Sequence, residues 1–174
     1  MTADLLIATA VNAFDLKAAL LARHAQHPVI VHFPIALFIA SAVFEILAVW
    51  RKQPVLASVA YFNLLGAAIS IPFTIATGLA AWQFQLEGAT LKGNLRLHLV
   101  FAITTAAIVL TLFWKRNRLR TNGESPRAGY FAVMAAGLLA ITLTGHLGGI
   151  LSGVEPPAEV SGGQDRAISA TATK

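Results

Sequence analysis

The sequence predicts an all-α integral membrane protein, a four-helix bundle with an amphipathic N-terminal helix lying in the membrane interface. Three observations predict it. Apolar residues make up 56% of the chain and charged ones only 12%, with a mean hydropathy of +0.68, well outside the balance of a water-soluble domain. Four segments carry at most one internal charge over a length sufficient to cross a hydrocarbon core of roughly 30 Å, which takes about 20 helical residues. The Lys and Arg residues gather beside these segments instead of forming a separate basic stripe, so the net charge of +5 reads as a topology signal and not as a nucleic-acid interface.

Three regions follow: an interfacial arm over 1–26, a transmembrane domain over 27–153 and a disordered tail over 154–174. The arm carries Leu5, Leu6, Ile7, Val11, Phe14, Leu16, Leu20 and Leu21 among Asp4, Asp15, Lys17 and Arg23, the pattern of a helix lying flat on the bilayer. It lacks the basic n-region of a signal peptide and is expected to be retained. The first span is read over 29–50, opened by Pro28 and Pro34 and closed by Trp50, Arg51 and Lys52, an interfacial aromatic followed by cationic anchors. The second runs over 55–84, with a kink expected at Pro72. The third, over 95–114, stops at Lys115, Arg116, Arg118 and Arg120; the fourth, over 129–151, ends among Gly145, Gly148, Gly149 and Gly153.

The two connections after spans one and three hold Arg51, Lys52, Lys115, Arg116, Arg118, Arg120 and Arg127. These loops are expected on the cytoplasmic side of a bacterial inner membrane, with both termini in the periplasm.

Antiparallel threading then brings four histidines to one membrane face. His27 and His32 open span one, His98 opens span three and His146 lies near the end of span four, while His24 falls just outside. An ionisable side chain within a span costs about 2 to 3 kcal/mol when charged, so a cluster of them is read as functional. Imidazoles from facing helices suit a b-type haem, which a bundle interior is well built to hold. Gly145, Gly148 and Gly149 leave one face of span four without side-chain bulk, giving a flat macrocycle or a neighbouring backbone room to approach. His32, His98 and His146 are weighted above His27, which, followed by Pro28, can serve simply to cap the helix entry; His27 and His32 also lie about 140° apart on a continuous helix, so both could not face one metal. An extended or broken entry at Pro34 would change that.

Three functional classes remain open from these residues. The leading one is a haem b protein transferring electrons to a quinone or a periplasmic cytochrome. The second is a copper or zinc accessory protein using His32, His98 and His146 as ligands. The third is a structural subunit, as a homo-oligomer or within a respiratory complex, whose histidines bond to partner helices. With no cysteine, thiolate metal sites and covalent haem attachment are excluded within the chain. No phosphate loop, nucleophile elbow or HExxH is present, so no hydrolase, transferase or NTPase is indicated. Glu45, the one acid inside a span, is expected to play a hydrogen-bonded structural role, with Asn63 or a hydroxyl on span two as its partner. Thr74, Thr77, Thr104, Thr105, Thr142 and Thr144 are expected to bond back to their own helices.

The run His27-Pro28-Val29-Ile30-Val31-His32-Phe33-Pro34-Ile35-Ala36-Leu37, then Thr77-Gly78-Leu79-Ala80-Ala81-Trp82, His98 and Gly145-His146-Leu147-Gly148-Gly149 resembles the DUF2231 family of bacterial membrane proteins. The resemblance covers residues 26–153. It implies a role for His27, His32, His98 and His146. Family members joined to c-type cytochrome or Rieske modules imply respiratory electron transfer, without naming a cofactor.

Overall fold

The computed structural model describes residues 26–84 and 86–153, and among these it is helical throughout apart from short connections. Four helices follow one another: α1 (Gln26–Arg51), α2 (Pro54–Phe84), α3 (Gly93–Thr121) and α4 (Ala128–Leu151). Each is long and apolar enough to cross a membrane. The interfacial arm, His24 and the tail beyond residue 153 lie outside the described residues.

Lipid offers no partner for backbone N–H and C=O groups, so each crossing must satisfy them within its own helix. That requirement keeps α1 continuous through Pro34 and α2 continuous through Pro72. The α1–α2 connection is minimal. Lys52 takes φ +52°, the left-handed conformation that ends a helix, and Pro54 opens the next at the position where its missing N–H costs nothing. At the opposite end Trp82 donates its indole N–H to the Ala89 carbonyl at 2.9 Å, tying the longer connection back onto α2.

The helices pack as two antiparallel hairpins, α1 on α2 and α3 on α4, with a lesser contact between α2 and α3. Phe38, Leu64, Leu112 and Met134, one from each helix, meet in the shared core. Gly137 makes this possible: a Cβ there would lie 2.8 Å from Ile108 Cγ2 and 2.9 Å from Phe38 Cζ, so α4 can approach only where that atom is missing. The outward faces carry Val43, Phe62, Ile69, Phe73, Ile103 and Leu139 exposed. In water such a surface would aggregate; against acyl chains it is the expected exterior.

Helix α3 runs past Trp114 to Thr121, so Lys115, Arg116, Arg118 and Arg120 lie on the helix and not in a loop. Glu45 does not pair with Asn63, whose amide donates to its own helix at Val59 O. Its partner is Arg116, whose Nε lies 2.8 Å from Glu45 Oε2, with side-chain exposures of 7% and 1%. The helical phase of α3 turns Arg116 inward while its neighbours stay exposed, and its long stem carries the guanidinium to the carboxylate of α1. Tyr130 is buried beside this pair.

A charge buried without its counterion is strongly unfavourable, whereas an apolar pair of similar volume is often neutral. Arg116→Ala and Glu45→Ala should each destabilise the bundle by about 3 to 5 kcal/mol. Thermal unfolding in detergent should then show a large loss for each single variant and substantial recovery in Glu45→Leu/Arg116→Met.

Candidate functional site

The first residue of the site is His27, on the opening turn of α1. Its Nδ1 lies 3.1 Å from the Thr77 hydroxyl on α2. That hydroxyl spends its own proton on the Phe73 carbonyl, 3.0 Å away, so it can only accept from His27. His27 therefore carries its proton on Nδ1 and holds an unshared pair on Nε2. The ring packs against the far end of α2, where a Cβ on Gly78 would lie 3.0 Å from its Cε1.

The second hairpin repeats the device. His98, one turn into α3, directs Nδ1 at the Thr144 carbonyl of α4 at 3.0 Å. A carbonyl only accepts, so His98 also carries its proton on Nδ1 and leaves Nε2 with a lone pair. A Cβ on Gly148 would stand 3.3 Å from its Cε1. Thr105 adds a hydroxyl contact to Thr144 at 3.3 Å, so Thr77, Thr105 and Thr144 each make a hydroxyl contact to another helix instead of bonding only to their own. Both rings are half-buried, and they lie close enough for the charge of one to act on the other.

His32 and His146 stand at the same end of the bundle but on other faces. His32 donates Nδ1 to Pro28 O on its own helix and is exposed. Since α1 is continuous, the 140° offset from His27 persists, and His27 is the one that faces the neighbouring helix. On α4, Thr144 and Gly148 share the face that meets His98 and lie four residues apart. His146, two residues from each, falls about 200° round the helix and is exposed. Among the described residues no group of three His, Asp or Glu side chains converges to hold a metal ion. The glycines divide in the same way: Gly148 receives the His98 ring, whereas a Cβ on Gly145 or Gly149 would meet nothing within 4 Å.

Thr77, Gly78 and Thr144 therefore belong to the site alongside the histidines. The sequence signal that marks them is a Thr-Gly pair near the end of each even-numbered span, Thr77-Gly78 and Thr144-Gly145, matching a histidine near the start of each odd-numbered one.

The family model described as "Predicted membrane protein (DUF2231)" matches residues 23–154, a stretch that takes in all four helices and both anchored imidazoles. The chain belongs to the DUF2231 family. No curated protein and no solved structure matches it. In this DUF2231 chain the anchored pair, His27 with His98, brings imidazoles from separate helices together.

Because Ala exceeds Gly in helix propensity by up to about 1 kcal/mol, a glycine replaced in open space should be neutral or stabilising. Gly145→Ala and Gly149→Ala should leave the melting temperature unchanged or raised. Gly78→Ala and Gly148→Ala press on an imidazole and should lower it, with Gly78→Ala the more costly. Four melting curves on this DUF2231 protein check the order.

Proposed function

We propose that the chain is a b-type haem protein of the bacterial inner membrane, with His27 and His98 supplying the iron ligands. One observation carries this reading. Two imidazoles from different helices each have Nδ1 held by a hydrogen-bond acceptor, which fixes the tautomer and offers Nε2, the arrangement that metal-ligating histidines need. A b-type haem asks for two such nitrogens, whereas a protein-only copper or zinc site takes three or four ligands. That difference favours haem over the copper or zinc alternative. Gly78 and Gly148 support the same reading in that each seats one imidazole closely against the return helix.

When bound, haem iron would cycle between the ferric and ferrous states and carry one electron at a time. The protein's own residues have simpler tasks. Thr77 Oγ1 and Thr144 O orient the imidazoles and raise their basicity by accepting from Nδ1. With the cation-rich end of the bundle in the cytoplasm, the histidine end faces the periplasm, where a quinone in the outer leaflet or a periplasmic cytochrome would exchange electrons with it.

The test is the absorption spectrum of detergent-purified protein from haem-supplemented cells, with a pyridine haemochrome assay. We expect a Soret band that is lost in His27→Ala and in His98→Ala but kept in His32→Ala and His146→Ala. A wild-type protein with no chromophore would remove the haem reading, and loss confined to the His32 and His146 variants would move the site.

A further inference from the structure

The opposite end of the bundle carries a second feature that the histidine site does not use. Between the last turns of α3 and the first turn of α4 lies a groove of about 350 Å³, bounded by Trp114, Lys115, Arg118, Arg127 and Tyr130. Three cations face a single carboxylate, Glu124. The N-terminus of α4 opens onto the same groove. Its capping residue, Arg127, is extended and makes no side-chain cap, and no acid stands in the first turn. The positive end of that helix dipole is therefore uncompensated by the chain, which favours an anion there.

A second groove, about 340 Å³, runs along the same pair of helices toward the middle of the bundle, lined by Ile103, Ala107, Ile108, Thr111 and Val133. The two lie in line on one face of that helix pair. On α3, Thr104, Ile108, Thr111, Lys115, Arg118 and Asn122 follow at three- and four-residue intervals and occupy one arc of the helix. On α4, Val133 lies one turn beyond Gly129 and Tyr130. From Lys115 to Ile103 the trough extends about 18 Å at ~1.5 Å per residue, slightly more than one leaflet's share of a ~30 Å core.

A cationic mouth at the level of the interfacial Trp114, continued by a lipid-exposed apolar trough one leaflet deep, has the shape and charge of a phospholipid. We propose that the α3–α4 face binds an anionic phospholipid, its phosphate held by Lys115, Arg118, Arg127 and the α4 N-terminus and one acyl chain laid along the trough. Arg118 is already stacked over Trp114 at 4.6 Å, which holds its guanidinium at the depth of the headgroups. Basic residues that served only to orient the protein would need no groove; these line one, and an apolar trough lies in line with it on the same helix pair.

The experiment uses the full chain purified in mild detergent, with bound lipid counted by native mass spectrometry after incubation with phosphatidylglycerol or phosphatidylcholine. Wild type should retain phosphatidylglycerol with a preference of about tenfold or more, since each basic residue near the headgroups strengthens attraction severalfold. Lys115→Gln/Arg118→Gln/Arg127→Gln should abolish that preference. Thr111→Trp fills the trough without touching a charge and should weaken retention severalfold, which separates chain binding from simple charge attraction. Equal retention of the two lipids by wild type, or undiminished phosphatidylglycerol on the charge variant, overturns the proposal. So does displacement by millimolar inorganic phosphate, which would mark a free-anion site. A shift from dimer to monomer in Thr111→Trp with lipid retention intact would assign the face to a second copy of the chain instead, and equally overturns it.

Discussion

The ion pair between Glu45 and Arg116 is the constraint on which the arrangement of this bundle turns. Helices α1 and α3 belong to different hairpins and run in the same direction through the membrane, so no short loop sets their relative height. The buried salt bridge does. With both partners withdrawn from water, sliding one helix against the other would leave two charges unpaired in a medium where that is strongly unfavourable, and so the register of α1 against α3 is held at that point.

The consequence appears at the other end. Eighteen residues separate His27 from Glu45, and eighteen separate His98 from Arg116. At about 3.6 residues per turn this is five full turns, so each histidine stands on the same face of its helix as the corresponding member of the ion pair. A single interaction near one membrane surface thus sets two imidazoles at a common height near the other. Each hairpin then anchors its own ring through a threonine on the return helix. The two ends differ in chemistry because the lipid boundary differs in what it meets: hydrogen-bonded imidazoles on one side, and a cationic rim with Trp50 and Trp114 under stacked arginines on the other.

Much of this was legible in the residues. The four crossings follow from the length of apolar runs, and their antiparallel threading alone gathers the histidines at one end. What the sequence hid was helical phase. Pro28 and Pro34 left a broken entry to α1 open, and only the continuous helix shows that His27, not His32, faces the return helix. Arg116 was concealed in a run of cations that reads as a topology signal, and its inward turn follows from where α3 ends, seven residues beyond Trp114. The glycines around His146 suggested an open face, yet the one that meets an imidazole is Gly148, and the one that lets the hairpins close is Gly137, in a stretch with no polar marker. The matched eighteen-residue spacings were present throughout; they gain meaning once Glu45 and Arg116 are known to touch.

The central claim is that α1 and α3 hold His27 opposite His98. The chain contains no cysteine, so pairs can be introduced without background. A His27→Cys/His98→Cys variant treated with a short bifunctional thiol reagent in native membranes should cross-link within one chain in high yield, while His32→Cys/His98→Cys, with the first thiol about 140° away round α1, should not. Equal yields from the two pairs, or a higher yield from the second, would contradict the register described here.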